Sequence, residues 1–237
     1  MNAIFSSIKE FSTDFSKLFF PVNCAACSKV LQKNEEEICL HCISGLPKTS
    51  FWQFKDNPFE QLFWGRVDIH RAVALFYYKK GTKVQQLIHN IKYRGKLSAG
   101  EYCGKWLGEK LLEDRYFNMP DYVVPVPLHP KRKKVRGYNQ ADCIARGISK
   151  ILKVPLETQN FKRVKYNVSQ TKKSRFERWD NVDRIFEIEN FDQFTGKHLL
   201  IVDDVVTTGS TLEACLLNLQ KIENVTLSIV VLGFSSS

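Results

Sequence analysis

The stretch Leu199–Thr211, LLIVDDVVTTGST, constrains this chain more than any other part of it. Its four consecutive apolar residues, Leu199 to Val202, do not alternate as a half-exposed strand would. They suit a central parallel strand covered on both faces. Asp203 and Asp204 stand at the carboxyl end of that strand, the edge where open α/β sheets take their ligands. Thr207, Thr208, Gly209, Ser210 and Thr211 then turn the chain into a helix.

The surrounding periodicity agrees with such a sheet. Strands are expected over 71–78, 121–127, 197–204 and 225–234. Helices are expected after Thr82 (apolar face Val84, Leu87, Ile88, Ile91), from Leu97 to Arg115, from Asn139 to Leu152 and from Ser210 to Lys221. Strand–helix–strand repeats call for a Rossmann-like parallel sheet with helices on both faces. Residues 51–69 are aromatic-rich and aperiodic, as in a connector folded onto the body. Residues 1–20 read as an amphipathic helix, with Ile4, Ile8, Phe11, Phe15, Leu18 and Phe19 near one face. A packed helix and a membrane-surface or partner helix are both open for it, although its polar face lacks a basic stripe.

Chemistry can be assigned to each part of the 199–211 stretch. A carboxylate accepts hydrogen bonds from vicinal hydroxyls, so Asp203 and Asp204 suit the 2′ and 3′ positions of a ribose. Unpaired N–H groups at the helix start suit a 5′-phosphate, Gly209 lets the backbone approach, and the hydroxyls of Thr207, Thr208, Ser210 and Thr211 add donors. The bland alternative is a strand that happens to end in Asp-Asp, followed by a hydroxyl-rich helix cap. No GxxxxGK[ST] and no GxGxxG occurs, which disfavours a Walker-type ATPase and a dinucleotide enzyme.

Two further features stand apart. Cys24-x-x-Cys27 and Cys39-x-x-Cys42 can present four thiolates to one structural Zn²⁺, with chance pairing or a redox dithiol as the alternative. The other three cysteines, Cys103, Cys143 and Cys215, read as core. The chain carries 35 Lys and Arg against 25 Asp and Glu, a formal charge of +10, which favours anionic partners. No apolar run is long enough for a membrane span, and no signal-peptide pattern is present. The expected location is cytoplasmic, with a peripheral position at the inner face of the cytoplasmic membrane as the variant. The expected organisation is a helix over 1–20, a zinc knuckle over 21–50 and the α/β domain over 51–237.

LLIVDDVVTTGST resembles the signature by which type I phosphoribosyltransferases bind 5-phosphoribosyl-1-pyrophosphate (PRPP). VVPVPLHPKRKKVRGYNQAD at 123–142, IKYRGK at 91–96, SQTKKSRFERWDNV at 169–182 and the cysteine pairs are similar to the ComF family, the competence-protein F type. The resemblance covers roughly residues 18–234. It implies a type I phosphoribosyltransferase fold, a pyrophosphate loop at Leu128–Arg136 (Leu128, His129, Lys131, Arg136), and a flexible catalytic loop at 162–178 carrying Lys172, Lys173, Arg175 and Arg178. Arg136 and Asn139 are better site candidates than Lys133 or Lys134, and Lys92 and Arg94 are a further anion contact of obscure role.

Three functions stay open. A transferase would hold ribose with Asp203 and Asp204 and release Mg²⁺-pyrophosphate, with Arg175 and Arg178 closing over the site. An accessory of natural transformation would bind single-stranded DNA beside a helicase-like partner. A PRPP sensor would bind without turnover.

Overall fold

The computed structural model describes residues 21–164 and 185–235. The expected helix over 1–20, and Lys172, Lys173, Arg175 and Arg178, lie outside the described residues.

A short helix α1 (Leu40–Gly45) follows the first cysteine pair, and a 3₁₀ turn (Phe51–Gln53) and α2 (Pro58–Gln61) occupy the aromatic connector. Then come β1 (Arg71–Tyr77), α3 (Lys83–Tyr93), α4 (Leu97–Glu113) and β2 (Tyr122–Pro125). The short helix α5 (Pro130–Arg136), α6 (Gln140–Leu152), β3 (Phe161–Arg163) and β4 (Phe186–Ile188) come next. The chain closes with β5 (His198–Val206), α7 (Ser210–Leu219) and β6 (Thr226–Phe234).

Four strands form one parallel sheet in the order β1–β6–β5–β2, while β3 and β4 form a separate antiparallel pair. The double-sided burial expected of Leu199–Val202 is realised, because β5 lies between β6 and β2 and all four residues are fully buried. On one face Leu200 and Val202 pack with α3, α4, α6 and the cysteine segment. On the other, Leu199 and Ile201 pack with α7, the β3–β4 pair and Phe51, Phe59 and Phe63. Each such fully buried apolar side chain contributes about 1.5–3 kcal/mol.

Two features depart from the sequence expectation. The Leu128–Arg136 stretch is not a loop: only Leu128 and His129 precede a helix that Pro130 opens and Gly137 closes. That helix buries no residue, and Val135 is 91% exposed, so no apolar period betrays it in the sequence. The closest helix crossing, between α4 and α6, rests on glycines. A Cβ on Gly104 would lie 2.1 Å from the Ile144 carbonyl oxygen, and one on Gly147 equally close to that of Glu101.

Candidate functional site

The site is built where β5 outruns its neighbour. The β2 strand pairs with β5 only as far as Pro125 opposite Val202, with one more bond from the Val126 N–H to the Val202 oxygen. The next rung of a parallel ladder would join the Asp204 N–H to the Val126 carbonyl. Instead the Asn139 amide donates to the Val126 oxygen at 3.1 Å, and the Asp204 N–H donates to Asp203 Oδ1 at 2.8 Å. The two strands therefore part here, at the carboxyl edge of the sheet.

Side chains alternate along a strand. Asp203 falls on the side of Leu199 and Ile201, and Asp204 on the side of Leu200 and Val202. The two carboxylates thus sit astride the strand tip. Lys92 acts on both carboxylates but is in contact with Asp204. Asp204 is 4% exposed, and its Oδ1 lies 2.9 Å from Lys92 Nζ at the end of α3. Its Oδ2 is buried with no hydrogen-bond partner among the described residues. Asp203 is influenced by Arg163 on β3. Burial first, and the Asp204 charge second, push the Asp203 carboxyl up from 3.8 to about 7, against the opposing pull of Lys92 and Arg163. Burial and the nearby charge of Arg132 lower the Arg163 pKa, and its Nε is buried without a partner.

The hydroxyl-rich bend follows directly. Gly209 precedes the first turn of α7 with φ of 77°, a left-handed conformation that a Cβ would strain, and that Cβ would meet Leu62 at 3.0 Å. No side chain caps the helix start. Thr207, Thr208, Ser210 and Thr211 are exposed around it, with Thr208 Oγ1 and Ser210 Oγ 2.7 Å apart. A ten-residue helix thus presents its first N–H groups beside the acidic strand tip.

The Leu128–Asn139 segment divides between structure and exposed charge. His129 is buried and accepts from the Lys131 N–H through its side chain. Lys131 is exposed and Leu128 half-buried. Arg136 is committed locally: it donates to Gln140 Oε1 and lies over the Tyr93 ring at 4.9 Å. Asn139 caps α6. The R-G-Y-N-Q block is therefore a corner that joins α5, α6 and the end of α3, since the Tyr138 hydroxyl also donates to the Ile91 oxygen at 2.6 Å. Lys92 and Arg163 are the site residues that sequence reasoning left unassigned. From the sequence, Lys92 reads with Arg94 as an anion contact of obscure role, and no sequence signal marks Arg163.

The cysteine pairs do converge. All four sulfurs of Cys24, Cys27, Cys39 and Cys42 lie within 4.8 Å of one another. Four Zn–S bonds of about 2.3 Å set tetrahedral sulfurs about 3.8 Å apart, and Cys27 Sγ and Cys39 Sγ are separated by 3.7 Å. The set fits a tetrathiolate ion. Burial would raise the Cys24 thiol, but N–H donors of Cys39, Ala26 and Cys27 outweigh it and bring it to about 7. The Cys39 N–H to Cys24 Sγ distance is 3.3 Å. Burial, and then the side chains of Cys27 and Cys39, push Cys42 upward, as expected of crowded thiols with no cation among them. The remaining cysteines, Cys103, Cys143 and Cys215, are buried.

A separate cavity of about 660 Å³, lined in part by Lys55, Trp64, Arg66 and His70, opens near the start of β1. It lies at the opposite edge of the sheet and includes no residue of the 199–211 signature. No described helix is long and apolar enough to cross a membrane.

Comparisons with known proteins agree with this geometry. Residues 139–232 match the phosphoribosyl transferase domain model. Competence protein F of Haemophilus influenzae is 38% identical over 95 residues, which span 40% of this chain and 42% of that protein. DNA utilization protein YhgH of Escherichia coli K12 is 29% identical over 191 residues, 79% of each chain. Competence protein ComFC of Bacillus subtilis is 27% identical over 212 residues, 85% of this chain and 80% of that one.

Proposed function

Because this chain belongs to the ComF family within the phosphoribosyltransferase superfamily, we propose that it binds PRPP at the tip of β5 and acts in the handling of incoming DNA. The observation that carries the PRPP reading is the buried, unpartnered Oδ2 of Asp204, one strand tip away from an uncapped helix start. Leaving a buried carboxylate oxygen without a donor costs stability, on the order of 1–3 kcal/mol or more for a charged group. A sugar hydroxyl or a metal-bound water would satisfy it. The helix N–H groups and the hydroxyls of Thr207, Thr208, Ser210 and Thr211 would take the 5′-phosphate.

The order along the chain is sugar, then phosphate, so the pyrophosphate on C1 would extend toward α5 and Arg163. Lys131 is exposed on α5, with Leu128 and His129 preceding that helix. Mg²⁺ would accompany PRPP, neutralising charge on the departing pyrophosphate. Transfer of the ribosyl group to an amine or base, with Arg175 and Arg178 shielding the site from water, is the enzymatic form of this reading. Its acceptor is unassigned, and a PRPP sensor would use the same binding residues without turnover. Zn²⁺ at the four cysteines would be structural, contributing on the order of 10 kcal/mol to the order of its segment.

Calorimetric titration of the full-length protein with PRPP and Mg²⁺ tests the site. Asp204→Ala is expected to lose most of the affinity while zinc content stays unchanged. Retained affinity in that variant overturns the assignment.

The names of the relatives and the exposed basic α5 favour single-stranded DNA as a second ligand, in company with a helicase-like partner at the inner face of the membrane. Binding through Z phosphates weakens with salt at a log–log slope of about −0.7Z. For α5 we expect Z of roughly 3–4. A flat salt response removes the nucleic-acid reading and leaves PRPP binding untouched.

A further inference from the structure

Lys92 is better placed than a surface cation has any need to be. Its side chain is 22% exposed, and its ammonium lies 2.9 Å from Asp204 Oδ1. An ion pair at a helix end ordinarily wanders and contributes little. Here the end of α3 is pinned from two other parts of the molecule. The Asn90 amide donates to the Ala25 oxygen at 2.8 Å, inside the cysteine segment. The Tyr138 hydroxyl donates to the Ile91 oxygen at 2.6 Å and accepts the Gly95 N–H at 3.2 Å. Zinc knuckle and R-G-Y-N-Q corner thus converge on the one turn that carries Lys92.

Among the described residues, the charged and titratable groups facing the two carboxylates are few. Lys92 comes from α3, Arg163 from β3 and Cys215 from α7, and each carboxylate faces the other. Two neighbouring carboxylates largely removed from water tend to share a proton. A shared proton would leave open which oxygen accepts a ligand hydroxyl. A cation in contact with only one of them settles the allocation.

Resting on the reading that a phosphosugar binds at this strand tip, we propose that Lys92 is a positioning residue: it engages one oxygen of the Asp204 carboxylate and so leaves the other free to accept a sugar hydroxyl. Burial, and then the Asp204 charge, push the neighbouring Asp203 carboxyl up. Lys92 acts through Asp204 and needs no contact with the ligand. A lysine that instead contacted a phosphate directly would lose its effect equally at every pH.

The experiment uses the full-length protein as wild type, Lys92→Met and Lys92→Arg. Carboxyl carbon-13 NMR follows the Asp203–Asp204 titration without ligand, and calorimetry follows PRPP–Mg²⁺ binding from about pH 6 to 9. In Lys92→Met the carboxyl titration is expected to move up by about one unit, with PRPP affinity about tenfold lower near neutrality and largely restored near pH 9. Lys92→Arg is expected to keep both readings near wild type. An unmoved carboxyl titration, or an affinity loss of the same size at every pH, overturns the proposal. If wild type takes up no PRPP while the titration still shifts, the positioning role stands and the PRPP reading falls. Lys92→Gln gives the same two readings should the Met variant fail to fold.

Discussion

Two clusters of buried charge in this molecule are built to opposite specifications. Arg71, at the start of β1, is 1% exposed and meets Glu60, Asp114 and the Phe51 carbonyl. Every carboxylate oxygen there is used. Glu60 also accepts the Ala72 and Asn57 N–H groups, and Asp114 also accepts that of Tyr116. At the tip of β5 Asp204 is likewise in contact with a cation, Lys92, yet Asp204 Oδ2 and Arg163 Nε are buried with no hydrogen-bond partner among the described residues. A polar cluster that closes on itself fixes a fold. One that leaves donors and acceptors open at the ligand edge of a sheet is arranged for something that arrives later.

The largest test of that contrast is at Arg71. Removing one member of a closed buried cluster strands the others, so Arg71→Met is expected to cost about 3–5 kcal/mol in urea unfolding. PRPP affinity of the folded fraction should be unchanged, because the cluster lies at the other end of β1 from the site. If Arg71→Met costs no more than a surface change, the cluster is not the bolt described here. The corresponding removal at Asp204, which abolishes affinity in the proposed reading, should leave stability nearly unaltered or improved, because an unsatisfied group disappears with it.

The two regions also differed in how readable they were. The 199–211 signature could be read because a strand buried on both faces writes an unbroken apolar run, and its register with β6 and β2 then places Asp203 and Asp204 at the edge. The cysteine cluster was legible from spacing alone, and its four sulfurs do meet. Lys92 and Asp204 are far apart in sequence, and only the packing of α3 on the sheet brings them together, so no local pattern announces the pair. The helix α5 escaped because it buries nothing, and β3 and β4 because three residues are too few to display alternation. The Gly104–Gly147 crossing was hidden for another reason. Glycine within a helical pattern reads as a weakness until a partner backbone is seen to occupy the space.

The smaller test concerns the pH profile that an open cluster imposes. In the folded protein the Asp203 carboxyl titrates near 7, against 3.8 ordinarily. Between those values the native state keeps a proton that the unfolded chain has released. The unfolded state then binds fewer protons, so stability falls as pH rises through that window and is level above it. Asp203→Asn removes the titrating group. Its unfolding free energy should vary less between pH 4 and 7, and above pH 7 it should exceed wild type by about 1–2 kcal/mol, the partial exposure of the side chain screening the rest. Chemical unfolding at a series of pH values reads both quantities. A wild-type stability that instead climbs with pH across this range would mean that Asp203 is ionised and satisfied. The strand tip would then be a closed cluster like that around Arg71.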